Sequence, residues 1–466
     1  MTIDGSWSPR LDPDGPTHLA LSRALEADIR SGRLAPGARL PTHRALAASL
    51  GVNVGTVSRA YAEARRRGLL SGEVGRGTFV RRPGGPALAS RARGADDVLD
   101  LGLNAPLASP APDLRAALRA LAARSDLRAT TEYGDPAGAP RARAAGASWM
   151  RRYGLDVAPE QIVVCNGSQH GILVALAAFA GPGELVLAEA LTYPGFTAAA
   201  RLLGLRVRGV ATDEEGIVPE ALEAACADRP RLLYCMPGLQ NPTAAVASPA
   251  RLRAIAEIAR TNDLVLLVDD VQAPVLEASP ARDESASALG ALAPERTITL
   301  AGVSKLLLPG LRTAFLAAAP DRIGRLSEVV WASTWMASPL GAELAAGWIE
   351  DGTAERIVAA RREEMRLRGE LARRALAGLR FHTRPGAHHL WLELPTPFEA
   401  SGFAGALARR GVAVVPAEAF LAAPGPAPRA VRVSLSAAPD LRSLARGLEA
   451  IADVARGGVE PNPVRL

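Results

Sequence analysis

The chain has 466 residues, of which 48% are hydrophobic, enough for two or three domains with sizeable apolar cores. Its three cysteines are an odd number without metal-ligand spacing, which argues against a disulfide framework and against a zinc site. The apolar runs are too short to cross a membrane and the first residues lack the pattern of a secretory signal, so we expect a cytoplasmic protein.

The net charge of +6 is concentrated at the start of the chain. Residues 1–82 contain 13 arginines and 7 acidic residues, whereas the remainder contains 41 basic and 41 acidic residues. A basic module joined to a neutral body is typical of a protein whose first domain binds a polyanion.

The first 67 residues show the pattern of three helices. Apolar residues at helical spacing predict a first helix over residues 17–31. Thr42 can cap a second helix that continues to residue 50, and Gly51 allows a tight turn before a third helix over about residues 53–67. Two short helices separated by a glycine turn are typical of a helix-turn-helix.

The next segment, residues 69–80, predicts a hairpin because its apolar ends surround a glycine-rich centre, and we interpret it as a wing. The second helix of a helix-turn-helix presents its N-terminal residues to the major groove of DNA. The predicted DNA-binding residues are Arg44, Asn53, Thr56, Ser58, Arg59 and, at the tip of the wing, Arg76. The three arginines at 65–67 fit a solvated helix face equally well.

The segment LPTHRALAASLGVNVGTVSRAYAEARRRGLLSGEVGRGTFV resembles the winged helix-turn-helix of the GntR superfamily of bacterial transcription regulators. The resemblance covers about residues 10–80. It implies a recognition helix in the major groove and a wing arginine directed toward the minor groove. The residues it assigns to these contacts are Arg44, Thr56, Ser58, Arg59 and Arg76.

Residues 81–98 are rich in proline, glycine, alanine and arginine and lack a sustained apolar period, which predicts a flexible linker. The predicted domains are therefore a DNA-binding domain over residues 1–80 and a second domain over residues 99–466. We expect the second domain to have a larger part over about 99–345 and a smaller α+β part over about 346–466. A flexible linker would let the domains change orientation, and one site could thereby influence the other.

Beyond the linker, short apolar strands alternate with helical stretches. The strand segments are IVVC, ELVLAE, RLLYCMPG, LVLLVDD and TITLAG, and helical segments such as SQHGILVALAAFA and ARLRAIAEIART lie between them. This alternation predicts an α/β domain in which helices cover both faces of a mostly parallel sheet. Functional groups in such a sheet lie at the carboxyl ends of its strands.

Several polar residues follow these predicted strands. Residues 167–169 begin a helix after IVVC, where backbone amides can bind a phosphate, although a glycine there is more often a turn residue. Asp269 at the end of LVLLVDD can pair with a protonated ring nitrogen or cap a helix. Asn241 lies in an Asn-Pro turn and can donate a hydrogen bond, and Tyr193 can stack on a ring.

The chain contains 53 arginines and a single lysine, Lys305. Arginine stays protonated and cannot condense with a carbonyl, whereas lysine can form a Schiff base. Arg312 supplies a cation for a phosphate, and Arg432 on a short predicted strand can clamp a carboxylate. Taken alone, Lys305 could have been retained by chance in a chain whose composition favours arginine over lysine. Arg432, taken alone, could be a surface residue on an edge strand.

In this order, these residues resemble the fold type I pyridoxal 5'-phosphate (PLP) enzymes, which have the aminotransferase fold, over about residues 100–460. The resemblance implies that Lys305 forms the internal aldimine, that Asp269 binds the pyridine nitrogen and that Arg432 receives an amino acid carboxylate. The other contacts it implies are Asn241 at the ring hydroxyl, Tyr193 on the ring face, Gly167, Ser168, Gln169, Ser304 and Arg312 at the phosphate, and Tyr133 at the phosphate of a partner subunit. A homodimer follows from the last assignment.

The chain departs from the pattern of that family at three positions. Gln272 stands where the family usually has a tyrosine that touches the ring hydroxyl. Gly302 stands where a serine usually donates to the phosphate, and Ala314 stands where a glycine is expected after the arginine. These departures bear on cofactor affinity, and they leave the ability of Lys305 to condense with an aldehyde unchanged.

A GntR-like winged helix joined to an aminotransferase-like domain is the layout of the MocR-type transcription regulators, which this chain resembles over nearly its full length. The resemblance implies a regulator that binds repeated half-sites on DNA and senses PLP, or an amino acid or amine through PLP. One alternative is an active aminotransferase with an accessory DNA-binding domain. This alternative is supported by the presence of Lys305, Asp269 and Arg432. It is disfavoured by Gln272, by Gly302 and by the concentration of positive charge in the N-terminal module. The other alternative is a constitutive DNA-binding protein that has lost its cofactor.

Overall fold

The computed structural model describes residues 7, 9, 17–30, 33–34, 38–66, 69–73, 77–80, 98–273 and 288–457. The chain divides into two compact units, Met1–Ala89 and Ser90–Leu466. Arg76 and almost all of the predicted linker lie outside the described residues.

The first unit combines three helices with a two-stranded antiparallel hairpin. Its elements are α1 (Thr17–Arg30), α2 (His43–Leu50), α3 (Val54–Arg66), β1 (Leu70–Glu73) and β2 (Gly77–Val80). The Thr42 hydroxyl caps α2 by accepting a hydrogen bond from the Ala45 amide at 3.2 Å, and Gly51 ends that helix with a φ of 66°. The predicted helix-turn-helix and hairpin are confirmed, and the helix ends agree within one residue.

One apolar core holds this unit together. It joins α1, α2, α3 and the hairpin through Leu21, Leu25, Leu46, Val57 and Val80, among others. Tyr61 belongs to this core, because it is 1% exposed and its hydroxyl donates to the Pro41 carbonyl at 3.1 Å. Tyr61 is therefore not available at the surface of α3.

The second unit begins with a short strand and alternates helices and strands thereafter. Its first elements are β3 (Leu99–Asp100), α4 (Leu114–Ala122), α5 (Pro140–Met150), β4 (Ile162–Cys165), α6 (Ser168–Phe179), β5 (Leu185–Glu189), α7 (Pro194–Leu202), β6 (Arg206–Val210), β7 (Thr212–Asp213), β8 (Gly216–Ile217), α8 (Pro219–Cys226) and β9 (Leu232–Cys235). These are followed by α9 (Pro249–Thr261), β10 (Val265–Asp269), α10 (Leu289–Leu292), β11 (Thr297–Gly302), β12 (Ala314–Ala317), α11 (Pro320–Thr334) and α12 (Pro339–Glu350). The C-terminal elements are α13 (Thr353–Ala375), β13 (Phe381–His382), β14 (His389–Glu393), α14 (Ala400–Arg409), β15 (Val412–Ala413), β16 (Val415–Pro416), β17 (Ala430–Ser434) and α15 (Leu441–Gly457).

The main sheet has the strand order β4-β12-β11-β10-β9-β5-β6. The strands from β11 to β6 pair in parallel, and β12 is antiparallel to both of its neighbours. Helices cover both faces, as adjacent residues of β10 show: Leu267 packs with residues of α6, α7 and α11, whereas Leu266 and Val268 pack with residues of α8 and α9. This confirms the predicted α/β sheet.

A smaller antiparallel sheet, β13-β14-β17-β16, forms the core of the C-terminal part together with α13, α14 and α15. Strand β17, which carries Arg432, lies between β14 and β16, so Arg432 is not on an edge strand. Strand β3 pairs with β15, and Leu101 and Leu107 lie in the same core. The first residues of the second unit thus pack on its C-terminal part.

Within the part of the chain that the structure describes, no helix combines the length and the hydropathy needed to span a lipid bilayer.

Candidate functional site

Asp269 ends β10 at the carboxyl edge of the main sheet. Its side chain is 7% exposed and accepts a hydrogen bond at Oδ2 from the hydroxyl of Tyr234, on the neighbouring strand β9, at 2.7 Å. Burial raises the pKa of Asp269 to about 6, and the Tyr234 hydrogen bond opposes this rise. A carboxylate in this position can pair with a cation on a bound ring.

Lys305 lies in the turn that follows β11 and is partly buried. Its amine Nζ donates a hydrogen bond to the carbonyl of Asn104. Burial, followed by the positive charge of Arg432, lowers the pKa of Lys305 to about 8, although Asp269 opposes the shift. At neutral pH roughly a tenth of the amine is therefore uncharged and able to attack a carbonyl.

Arg432, on β17 of the smaller sheet, and Asn241, in the segment after β9, are joined by a hydrogen bond. The guanidinium of Arg432 donates from Nη1 to Asn241 Oδ1 at 2.7 Å and from Nη2 to the Gly102 carbonyl at 2.5 Å. It lies 4.9 Å from the centre of the Phe420 ring and is 5% exposed. Burial lowers the pKa of Arg432 to about 10, so at neutral pH the group remains a cation suited to a carboxylate.

The N-terminus of α6 lies next to the Arg312 guanidinium, a combination suited to an anion such as a phosphate. Gly167 precedes the helix with a φ of 83°, and a Cβ there would lie 2.6 Å from Arg312 Nη2, so only glycine fits. Ser168 begins the helix, where unpaired backbone amides attract anions. Ser304 Oγ is buried without a hydrogen-bond partner among the described residues. A buried hydroxyl left in this way fits a ligand oxygen.

Gln169 and Tyr193 connect α6 with α7. The Gln169 side chain donates from Nε2 to the Gly195 carbonyl at 2.7 Å. Tyr193 precedes α7, and its pKa is raised by burial and, secondarily, by the negative charge of Asp269. The ring of Tyr193 therefore lies within electrostatic range of the Asp269 carboxylate.

Tyr133 lies in the loop before α5 and is the most exposed aromatic residue of the site candidates, at 82%. Its ring contacts that of Trp335, with centroids 5.1 Å apart, and Trp335 in turn contacts Trp331. These contacts place Tyr133 on the surface of the second unit, beside the C-terminal end of α11.

The first unit presents part of the predicted DNA-binding set at its surface. Arg44, Asn53 and Arg59 are exposed, and Thr56 is half-buried. Asn53 Oδ1 accepts from the Gly55 amide at 2.7 Å and so also caps α3. Ser58 Oγ lies 2.9 Å from His43 Nδ1 and is half-buried, so this hydroxyl is already engaged by α2.

Comparison with known proteins connects the two units. Residues 18–80 match the gntR family of bacterial regulatory proteins, and residues 96–451 match the aminotransferase class I and II family. The chain is 31% identical over 449 residues to the uncharacterized HTH-type transcriptional regulator YdeF of Bacillus subtilis, with 95% of each chain covered. This chain belongs to the MocR-type transcription regulators. Another regulator, TauR of Rhodobacter capsulatus, is 27% identical, with 86% of this chain and 88% of TauR covered.

Solved structures support the cofactor of this MocR-type regulator. LysN, an alpha-aminoadipate aminotransferase of Thermus thermophilus solved with N-(5'-phosphopyridoxyl)-L-leucine, superposes with a TM-score of 0.69 and 28% identity, and 78% of this chain and 93% of LysN are covered. The fold and its ligand-bound relatives indicate PLP as the cofactor.

The structure gives a physical reason why this MocR-type regulator has glycine at position 302. A Cβ at Gly302 would lie 2.3 Å from Ser168 Oγ. The Ser168 hydroxyl therefore occupies the space into which a serine at 302 would extend. Gly302 thus leaves room for the Ser168 hydroxyl at the start of α6.

A second departure, Gln272, belongs to a buried polar group next to Lys305. Gln272 Oε1 accepts from Asn104 Nδ2 at 3.2 Å, and the same amide lies 3.3 Å from His389 Nδ1. Because His389 Nε2 lies 3.1 Å from the Gln240 carbonyl, Nε2 must carry the hydrogen and Nδ1 must accept. Burial lowers the pKa of His389 to about 3, so its ring is neutral at physiological pH.

Sequence reasoning missed Arg361 of α13, which anchors the backbone of Lys305. Its guanidinium donates from Nη1 to the Lys305 carbonyl at 3.2 Å, from Nη2 to the Leu107 carbonyl at 2.9 Å and from Nε to the Pro110 carbonyl at 2.9 Å. Arg361 is 1% exposed. These three carbonyl oxygens stabilise the buried guanidinium of Arg361 in the way that a carboxylate otherwise would.

Reactivity of Lys305 gives a testable pH dependence. The uncharged amine is the nucleophile, and its fraction rises about tenfold per pH unit below the pKa and levels off above it. Because the pKa of Lys305 is lowered to about 8, we expect the rate of covalent PLP attachment to rise up to about pH 8. Stopped-flow absorbance of PLP mixed with the unloaded protein measures this rate. A rate that keeps rising tenfold per unit beyond pH 10 would contradict the lowered pKa.

Proposed function

We propose that this protein is a PLP-dependent, DNA-binding transcription regulator in which Lys305 carries the ligand that the protein senses. The observation that supports this most directly is that Lys305 and Arg432 both donate to carbonyls of one segment, those of Asn104 and Gly102, in a chain that begins with a GntR winged helix. Asp269, at the end of β10, adds a buried carboxylate. We assign residues 1–80 to DNA binding, 81–98 to the linker and 99–466 to ligand binding. A bacterial regulator with these parts would meet its DNA in the cytoplasm.

The residues of the site fit PLP group by group. Ser304 supplies a buried hydroxyl without a described partner, and Arg312 with the amides that begin α6 supplies the charge and donors for a phosphate. Lys305 supplies the amine for the aldehyde, and Asp269 supplies the carboxylate for the ring nitrogen. When bound, PLP provides an aldehyde that exchanges between the lysine and an incoming amine and a ring that withdraws electrons.

Arg432 suggests that the sensed amino compound carries a carboxylate. The Arg432 guanidinium is buried, positively charged and held by Asn241 Oδ1, so it is preorganised for an anion. Each terminal nitrogen of Arg432 makes one hydrogen bond, to Asn241 Oδ1 or to the Gly102 carbonyl, and carries a second hydrogen that a carboxylate can accept. Such a ligand can change DNA binding only if its affinity differs between two arrangements of the protein.

A homodimer is the assembly we propose. The exposed ring of Tyr133 would then reach the phosphate in the partner subunit, and two winged helices would bind repeated half-sites on DNA. Sedimentation analysis of the PLP-loaded protein tests the assembly, and a Tyr133→Phe substitution that leaves PLP affinity unchanged would argue against the shared site.

Gly302 gives a prediction for cofactor binding. Gly302→Ser should weaken PLP binding about tenfold, because the new side chain displaces the Ser168 hydroxyl. The double substitution Gly302→Ser with Ser168→Ala should recover much of the loss, since one hydroxyl then replaces the other. Gly324→Ser is the matched control, because a Cβ at Gly324 meets open space. Equilibrium titration of PLP absorbance measures all four proteins, and equal weakening in the single and double variants would contradict the account.

The wing gives a prediction for DNA binding. Arg76→Ala should lower affinity for the operator and leave PLP absorbance unchanged, because the wing arginine is predicted to contact DNA and the cofactor residues lie in the other unit. Arg23→Ala, on the exposed side of α1, removes the same charge from the same unit and serves as the control. Gel-shift titrations at fixed salt compare the two, and equal losses would mean that Arg76 contributes only general charge.

One experiment separates the regulator from the active aminotransferase. The PLP-loaded protein is mixed with a panel of amino acids in single-turnover conditions, and then with a keto acid. A regulator should change its cofactor absorbance slowly or without turnover, and its operator affinity should shift. Rapid conversion followed by repeated turnover with the keto acid, without any effect on DNA binding, would overturn the proposal.

A further inference from the structure

Tyr234 lies on β9 opposite Leu267 of β10, two positions before Asp269 on the same strand, and is fully buried. Its ring stacks on that of Phe196, with centroids 4.3 Å apart and planes 8° from parallel. The hydroxyl donates to Asp269 Oδ2 at 2.7 Å. Stacking fixes the ring, and the short hydrogen bond therefore fixes the orientation of the carboxylate.

The two oxygens of Asp269 are unequal as a result. Oδ2 is committed to Tyr234, whereas Oδ1 has a long contact of 3.5 Å with the Val271 amide. One carboxylate oxygen thus remains available to a cation at the site, and it is always the same oxygen.

Burial and the adjacent Asp270 carboxylate both disfavour the charged form of Asp269. Burial is the largest effect that raises the pKa of Asp269, and Asp270 on the same segment adds to it, whereas Lys305 opposes it. Glu189 of β5 and Tyr193 before α7 also lie near the Tyr234–Asp269 pair. Burial raises the pKa of both, that of Glu189 to about 8, so neither carries much charge at neutral pH. Burial and the Asp269 charge raise the pKa of Tyr234 well above its usual value, so its hydroxyl remains a donor at physiological pH.

We propose that Tyr234 is a positioning residue that keeps Asp269 an anion and presents Oδ1 to the nitrogen of the bound pyridine ring. The inference rests on the proposed function, in which Asp269 pairs with that nitrogen. A hydrogen bond to the carboxylate favours the ion pair, with the proton on the ring nitrogen, over the neutral pair, with the proton on Asp269.

The test uses full-length protein loaded with PLP that carries nitrogen-15 in its ring. Tyr234→Phe removes only the hydroxyl, and the nitrogen-15 chemical shift should move from that of a protonated ring toward that of a neutral ring. The dissociation constant for PLP should rise about tenfold, because a hydrogen bond to a charged group is lost. Phe196→Leu keeps the hydroxyl but loosens the stack, so it should lower the melting temperature while leaving the ring nitrogen largely protonated. Tyr61→Phe removes a buried tyrosine hydroxyl from the first unit and should change neither readout.

The outcomes separate this inference from the proposed function. Wild-type protein that does not bind PLP would overturn both. Wild-type protein that binds PLP with a protonated ring nitrogen, together with a Tyr234→Phe variant of equal shift and affinity, would overturn the role of Tyr234 alone. A shift that moves as much in Phe196→Leu as in Tyr234→Phe would reduce Tyr234 to a packing residue and also overturn the inference.

Discussion

Lys305→Ala should abolish covalent attachment of PLP completely while both units stay folded. No other side chain can replace it, because the remaining 53 basic residues are arginines, which do not condense with an aldehyde. The first unit has its own apolar core, so its affinity for DNA without ligand should remain within about twofold of the wild type. Reduction with borohydride followed by mass spectrometry detects attachment, and gel-shift titration measures DNA binding.

Lys305→Arg is the matched control for charge. Arginine retains a cation that can donate to the Asn104 carbonyl, yet it cannot form the covalent bond. Both variants should therefore lose attachment, and only Lys305→Ala should also lose the cation. Covalent PLP on either variant would show that another group, such as the N-terminal amine, is the site of attachment. Loss of all DNA binding in both variants would contradict independent units.

Arg361→Ala should destabilise the second unit by about 3–5 kcal/mol, because three carbonyls lose their donor and a buried cavity remains. The substitution also frees the backbone of Lys305, so PLP attachment should slow. Urea unfolding followed by circular dichroism measures the free energy of unfolding. Arg373→Ala, on the exposed face of the same helix, should change it by less than about 0.5 kcal/mol.

A loss below about 1 kcal/mol for Arg361→Ala would mean that water or a rearranged loop replaces the guanidinium. Normal stability with slower PLP attachment would limit the role of Arg361 to the placement of Lys305. Either result would mean that the three hydrogen bonds from Arg361 to backbone carbonyls contribute less to the free energy of unfolding than their distances suggest.

Elements set by local interactions could be predicted from the sequence. Thr42 and Gly51 mark the ends of α2 because a cap and a left-handed turn involve only residues within one helical turn. The strands of the main sheet other than the edge strand β6 are short and mostly apolar, since both of their faces are buried, whereas β6 carries exposed arginines. Lys305 was found because its type is unique in the chain, and Asp269 because it follows an apolar strand.

Contacts between distant segments could not be predicted in the same way. Asn104 meets Gln272 across 168 positions and His389 across 285, and no periodicity connects them. Arg361 is one arginine among 53, so nothing in the composition of the chain distinguishes it as a buried residue. Tyr234 can be recognised in part from the sequence, because a tyrosine hydroxyl near the end of a buried apolar strand requires a hydrogen-bond partner. That partner, Asp269, becomes apparent only once β9 and β10 are known to be neighbours.

The most direct test of the account is operator affinity measured with and without ligand in wild-type protein and in Lys305→Arg. The operator fragment is first selected from genomic DNA with the full-length protein. The account predicts that PLP, alone or with a carboxylate-bearing amine, changes the affinity of the wild type at least about fivefold, and that Lys305→Arg does not respond. An equal response in both proteins, or none in a wild type shown to carry covalent PLP, would contradict the claim that Lys305 serves to regulate DNA binding.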